Sequence, residues 1–460
     1  MKVKGMAVLS GMTLMGFWAH VGCVKPAVPL AEEKQENEVH KGLDAWRVEP
    51  LAQDYKVLAR SPDPANIYCY TPGLAICPSG RIVATMEFGG KGAKNLPEPE
   101  KGSGRGRLFT SDDHGETWVY RTNFPIAHAR PFVAGERVYV LGHAGNLRII
   151  ASDDWGETWS EPVDLTEGQS WHQSACNVHY ANDCVYLVME RRTKGNVKAW
   201  GVSELAPVLM RGKMDTDLTQ RKNWTFASEL TFCDAVKDTG LDGFGLPFYP
   251  AFYPHSFLPA LHRGCAPMGW LETNVVRFTD PDHIWCDPEG KTLHLWMRAH
   301  TGTTNLAAIA KVTENEDGTM TTSLETAPSG KEMVFVPCPG GQMRFHILYD
   351  EETQLYWLLS SQSTDSMCRP ERLPADRYNL PNNERHRLQL HFSKNCVDWC
   401  FAGLVAVGGS AKQGRHYASM IIDGDDLHIL SRSGDSAAKS AHDGNMTTFH
   451  TVKDFRRLVY

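Results

Sequence analysis

The chain has 460 residues, 42% hydrophobic and 10% aromatic, with 40 Gly and 13 Trp, a turn-rich β composition long enough for one large repeat domain. A formal net charge of −7 without a long basic run excludes nucleic acid as a partner. The 12 Cys contain no paired CxxC motifs, so no structural zinc is expected; no cofactor or metal is read from the spacing.

In chain order, residues 1–22 read as a signal segment: Lys2 and Lys4 precede a mostly apolar, uncharged stretch over 6–22. Cys23, directly after Val21-Gly22, resembles the lipidated cysteine of bacterial lipoproteins. The expectation is an exported protein of the periplasm, cell surface or outer membrane, attached to the membrane through Cys23. Residues 23–60 then form a tether and lead-in, and 61–460 a single domain.

Short strands bounded by turn residues recur from there. Residues 74–77 lead through Pro78-Ser79-Gly80 into 81–86, a hairpin pattern. The octet Ser111-Asp112-Asp113-His114-Gly115-Glu116-Thr117-Trp118 returns 41 residues later as Ser152-Asp153-Asp154-Trp155-Gly156-Glu157-Thr158-Trp159. Its chemistry suits a tight turn: the Asp accepts bonds from backbone N–H groups, Gly takes the φ > 0 corner, and Thr-Trp re-enters a strand. Strands over 130–133, 138–141 and 147–152 precede the second octet. Further groups are 176–179, 185–190 and 199–203; then 284–286, 293–298 and 306–312; then 345–349, 356–361 and 388–393; and last 417–422 and 427–431. Residues 393–399 repeat the octet in degenerate form, with Asn395 for Asp. The best helix candidate is 204–222, interrupted by Pro207, and 234–270 read as a long ordered insertion rich in Pro, Gly and aromatics. Six strand groups predict an all-β fold, a six-bladed β-propeller of four-stranded antiparallel blades.

The two octets resemble the Asp-box of the sialidase superfamily of β-propellers. The resemblance implies a structural role for Ser111, Asp113, Gly115 and Trp118, and for Ser152, Asp154, Gly156 and Trp159. They would close the hairpin between the outer strands of a blade, on the far side from the active site. It also implies a site at the axial mouth, where three arginines clamp a substrate carboxylate, a Tyr assisted by a Glu is the nucleophile, and an Asp is the acid/base. The residues that open each strand group are Tyr70, Arg130, Trp171-His172, Asp282-His283, Arg344 and Arg415-His416-Tyr417.

Carried over position by position, Cys69-Tyr70-Thr71-Pro72-Gly73-Leu74 is similar to the family's opening Tyr-Arg-Ile-Pro segment, with Tyr70 in the place of the first clamp arginine. Glu87 matches an acidic residue ending the next strand. Residues 89–110 hold no Asp, only Glu98 and Glu100, and the run Gly102-Ser103-Gly104-Arg105-Gly106 lacks the Lys-Ser/Thr of a phosphate loop. Arg298, Arg344 and Arg415 are the candidate clamp, and Tyr417 the candidate nucleophile. Asp282 or His283 stands near the assisting Glu, and Glu272 is a second candidate carboxylate. His172 and His283 are candidate substrate contacts, and His300, His346, His416 and His442 also fall near strand ends.

The expected function is that of an exported, monomeric exo-glycosidase acting on a terminal, acidic sugar of a glycan. The alternatives are a non-catalytic propeller that binds glycans or a protein at the cell surface, and a propeller polysaccharide lyase using Tyr417 with His416. Cys396 and Cys400 are close enough in sequence to bridge in a suitable turn; buried free thiols are the other reading.

Overall fold

A computed structural model describes residues 48–96, 105–172, 175–197, 200–237, 258–260, 263–265, 268–300, 305–364 and 384–460. The signal segment, Cys23, Glu98, Glu100 and most of the 234–270 insertion lie outside the described residues. Glu49–Tyr460 forms one unit; of the other, Met1–Val48, only Val48 is described.

Six antiparallel blades of four strands follow one another around an axis. Blade 1 runs outward through Tyr68–Ile76, Ile82–Gly89, Gly106–Ser111 and Val119–Phe124. Blade 2 begins with Ala127–Ala134 and Arg137–Ala144, blade 3 with Trp171–His172 and Cys184–Arg192, and blade 4 with Gly269–Val276 and Thr292–His300. Blade 5 begins with His346–Asp350 and Leu355–Ser360. Blade 6 uses Arg415–Asp423, Asp426–Ser433 and Met446–Val452, and its outer strand is Lys56–Arg60, from the stretch read as lead-in. That strand pairs antiparallel with Met446–Val452, so hydrogen bonds close the ring between the two ends of the chain.

The core is a ring of apolar layers, one between each pair of neighbouring blades. In the strand Cys184–Arg192, Val185, Leu187 and Met189 pack toward blade 2, while Cys184, Tyr186 and Val188 pack toward blade 4. Successive side chains point to opposite faces, and here both faces are covered, so the strand reads as a continuous apolar run. Two expectations fail for this reason. Residues 204–222 are not a helix: Leu205–Lys213 is the third strand of blade 3, buried on both faces, with Pro207 opposite Glu190. The opening strand of blade 4 is not 284–286 but Gly269–Val276, buried at every position. Residues 277–291 instead form the connection to the second strand, at the far end of the blade.

Both octets form the same turn, bond for bond. Ser111 Oγ donates to Asp113 Oδ1 and accepts from Gly115 N; Asp113 accepts from Thr117 N at 2.8 Å and from Thr117 Oγ1 at 2.6 Å; Trp118 Nε1 donates to Gly115 O. Asp154 repeats the pattern at 2.8 and 2.5 Å, and Trp159 closes on Gly156. Gly115 and Gly156 sit at φ +88° and +93°, which side chains rarely adopt, and at Gly115 a Cβ would also collide with Phe449 of the neighbouring blade. In the degenerate copy Asn395 accepts from Val397 N and Asp398 N, and Cys396 and Cys400 are unbridged. All three turns lie at the face opposite the one where the inner strands begin. Asp154→Ala is therefore expected to cost roughly 1–2 kcal/mol of stability without changing activity. Calorimetry beside a rate assay checks this, and a large rate loss at unchanged melting would contradict it.

Candidate active site

The inner strands of four blades break register at the same place. The pairing jumps between Tyr70 and Gly73, Ala127 and Arg130, Leu271 and Asn274, and His416 and Ser419. In each bulge one non-glycine residue takes positive φ: Thr71 at 41°, His128 at 53°, Glu272 at 58° and Tyr417 at 51°. A β-bulge re-aims a side chain, and a left-handed residue of this kind costs about 1–3 kcal/mol. Four such residues at one level of the propeller form a ring of strained positions at the mouth.

A second ring stands beside the first. The residue paired with the position just before each bulge is Glu87 in blade 1, His143 in blade 2, Arg298 in blade 4 and Arg432 in blade 6. In blade 3, Glu190 is the partner of His172. The repeat thus places one titratable side chain after another around a single opening.

Tyr417, Glu272 and Arg298 meet there. Tyr417 Oη donates to Glu272 Oε1 at 2.7 Å and accepts from Arg298 Nη1 at 2.6 Å; the same nitrogen lies 3.2 Å from Glu272 Oε2, and Arg298 Nε donates to Gln342 O. All three are buried. Burial raises the Tyr417 phenol above its ordinary value, although Arg298 pulls the other way. The phenol therefore stays protonated in neutral solution until Glu272 accepts its proton. Burial disfavours the Arg298 charge, but Tyr417 and Glu272 outweigh it and hold the guanidinium firmly protonated.

Two more guanidiniums flank the phenol. Arg385 lies 5.5 Å and Arg432 4.6 Å from the Tyr417 ring centre, and Arg432 is 4.0 Å from the Tyr70 ring. Arg385 Nη1 contacts His416 Nδ1, Arg432 Nη1 donates to His442 O, and the Nε of both arginines is buried without a hydrogen-bond partner. Burial pushes Arg385 down to about 10 and lowers Arg432 as well. Three guanidiniums stand around the Glu272 carboxylate and the Tyr417 phenol, with two Nε–H groups unmatched among the described residues. An anionic ligand group would satisfy them.

The other expected residues divide. Tyr70 is in the site but donates to Asp443 Oδ1 and supports Arg432 by its ring face. His172 reaches the mouth on the blade 3 side, bonded to Glu190, its ring 5.0 Å from that of His128. Arg344 does not join the clamp: it is buried two residues deeper along the axis than Tyr417 and donates to Ser419 Oγ. Arg415 also points away, donating to the carbonyls of Gly414 and Gly434 and lying over Tyr55. Asp282 and His283 are at the opposite face, Asp282 exposed in a turn and His283 stacked 3.8 Å over Phe278. Their misplacement follows from taking 284–286 as the inner strand. His416 is fully buried beside Arg385, and His346 accepts from Met420 N at the axis. Below the mouth the inner strands enclose a cavity of about 330 Å³, lined largely by aliphatic residues such as Leu74, Val275 and Ile347.

Arg385, Arg432, His128 and His143 were missed. Arg432 and Arg298 hold equivalent positions on the second strands of their blades, so propagating the register of one blade to the next would have found it. His128 Nδ1 and His143 Nε2 are 2.9 Å apart, and His128 Nε2 lies 3.8 Å from Glu87 Oε1. Burial and the neighbouring imidazoles hold His128 well below its usual range and His143 down to about 3. Burial likewise holds His391 and His450 at about 4. These groups are neutral when folded but bind protons in the unfolded chain below about pH 6.5, so their stabilisation is complete above that pH and declines as pH falls toward their folded values. Melting temperature should decrease progressively from pH 6.5 to 5; a flat profile over that window contradicts the assignment.

No protein-family model and no curated protein matches this sequence. Among solved structures, a mutant Trypanosoma rangeli sialidase displaying trans-sialidase activity is similar over 89% of this chain, at 12% identity and a TM-score of 0.50. The fold is that of the sialidases. The sialidase-like propeller spans 60% of the length of that protein. A Hadza microbial sialidase matches over 84% of this chain and 66% of its own, at 14% identity and a TM-score of 0.48. The α-L-arabinanase of Penicillium chrysogenum, complexed with arabinobiose, matches over 89% of this chain and all of its own, at 12% identity and a TM-score of 0.47.

Proposed function

We propose that this protein is an exo-acting glycoside hydrolase of the sialidase type that releases a terminal sugar bearing a carboxylate. One observation carries the reading: the buried Tyr417–Glu272–Arg298 triad at the mouth, with Arg385 and Arg432 against the same phenol. Guanidinium forks match a carboxylate bidentately, and a clamp on that group sets the anomeric carbon over Tyr417 Oη. The phenol attacks that carbon as its proton passes to Glu272, and Arg298 stabilises the developing phenolate. A neutral nucleophile meets less repulsion from the substrate carboxylate than an Asp or Glu would. The departing oxygen takes a proton from the Glu87 carboxyl, which burial holds above its ordinary value, with the neutral His128 imidazole beside it. The Glu87 carboxylate so formed deprotonates the water that attacks the anomeric carbon, and the Tyr417 oxygen, as it leaves, takes its proton back from Glu272.

The test is a screen of the purified mature protein against aryl glycosides of sialic, uronic and neutral sugars. Turnover confined to acidic sugars supports the reading; turnover of neutral sugars alone removes the clamp, and no turnover of any removes the enzyme. Glu87→Gln should slow sugar leaving groups by about 10²-fold or more, but aryl leaving groups, which depart without protonation, far less. Equal losses on both take Glu87 out of the proton-transfer role. Export and lipid attachment at Cys23 are part of the proposal, and radiolabelled fatty-acid incorporation lost in Cys23→Ser is the check.

A further inference from the structure

A third cluster lies on the opposite face, at the seam where blade 6 meets blade 1. The fourth residue of the first octet, His114, takes φ 56° and projects toward blade 6. There its Nδ1 lies 2.6 Å from Asp423 Oδ2, at the end of the inner strand Arg415–Asp423. From the adjoining strand, His428 Nε2 approaches the same oxygen at 3.1 Å. The three candidate donor atoms lie within 4.8 Å of one another. His428 is buried and its Nδ1 is 3.1 Å from Thr451 Oγ1, Asp423 is largely covered, and His114 is the exposed member. The equivalent position of the second octet is Trp155, which packs into the layer between blades 1 and 2, so only the octet at the closing seam carries an imidazole here.

We propose that His114, Asp423 and His428 form a binding site for a divalent transition metal of the zinc class. Two imidazole nitrogens and one carboxylate oxygen are a donor set for zinc, with the fourth position left to water. At metal–ligand distances of about 2.0–2.2 Å, tetrahedral donor atoms stand roughly 3.4 Å apart. The observed 2.6 and 3.1 Å separations need to open by less than an ångström and the separation of the two imidazole nitrogens, within 4.8 Å, to settle at the same value, and exposed His114 is free to make that movement. The Thr451 hydroxyl fixes the ring of His428 from behind, the usual arrangement for a metal-bound imidazole. Calcium and magnesium, which take oxygen ligands, are excluded by the two nitrogens. The ligands come from both sides of the seam, so the metal would brace the ring where it is otherwise closed by strand pairing. The site is remote from Tyr417 and independent of the proposed hydrolase activity.

The experiment is titration calorimetry of the chelator-treated full chain with Zn²⁺, and separately with Mg²⁺ and Ca²⁺, together with melting curves. One Zn²⁺ per chain at micromolar affinity or tighter, a rise in melting temperature, and no response to Mg²⁺ or Ca²⁺ are expected. His114→Ala, a substitution at an exposed side chain, should abolish that binding and the zinc-dependent rise while leaving metal-free melting and glycosidase assays unchanged. Thr451→Val should weaken binding by about 10-fold or more. No zinc binding by the native chain, or binding that survives His114→Ala unchanged, overturns the proposal.

Discussion

Tyr417→Phe is expected to abolish hydrolysis, by about 10³-fold or more in kcat/KM, while the protein melts within a few degrees of the native temperature. The substitution removes one oxygen and nothing from the packing. Glu272 keeps its contact with Arg298, so no buried charge is orphaned. The chemistry, by contrast, has no substitute. The hydroxyl faces the mouth and is bonded both to the carboxylate that takes its proton and to the guanidinium that stabilises its anion. Steady-state kinetics on the best substrate of the glycoside screen, with calorimetry in parallel, checks both halves. Full activity in the variant would remove Tyr417 from the mechanism.

Arg298→Leu should be severe for a different reason. It strips Tyr417 Oη of its donor, Gln342 O of a bond, and Glu272 of its counter-ion in a buried site. Breaking a buried pair by removing one partner typically costs about 3–5 kcal/mol, because the remaining charge is left uncompensated. A large fall in melting temperature is expected, with loss of activity. Adding Glu272→Gln to Arg298→Leu should recover a substantial part of that stability, since the orphaned charge is then gone, but none of the activity. A double-mutant cycle measures the coupling. Strictly additive losses would show that the two side chains do not depend on each other.

Legibility followed local chemistry. The octets were readable because Ser, Asp, Gly, Thr and Trp each do a job within eight residues, and the turn they form is the same in both copies. Hairpins such as the one through Pro78-Ser79-Gly80 were readable for the same reason. Tyr417, Glu272 and Arg298 were all among the candidates, and the structure brings those three together. Arg344 and Arg415 were not separable from the true neighbours by residue type: an arginine at a strand end serves equally to bind a backbone carbonyl, as Arg415 does, to bind a buried hydroxyl, as Arg344 does, or to face a ligand. Arg385 was invisible because nothing in its flanking residues distinguishes it, and Arg432 was legible only by carrying the register of Arg298 from one blade to the next.

The sequence by itself determined the repeating turn, which depends on contacts within one hairpin, and the number of strand groups; the face on which the turns lie came with the resemblance they carry. Only the tertiary structure decided which side chains share the mouth. Strands buried on both faces show no alternation, so their limits and register are hidden. Taking 284–286 instead of Gly269–Val276 as the inner strand moves Asp282 to the mouth and Glu272 away from it. The bulges at Thr71, His128, Glu272 and Tyr417 turn side chains that strict pleating would point elsewhere, and they exist because packing against neighbouring blades outweighs a local strain of about 1–3 kcal/mol at each. That balance is struck between elements as much as 145 residues apart, as Glu272 and Tyr417 are, and no local pattern encodes it.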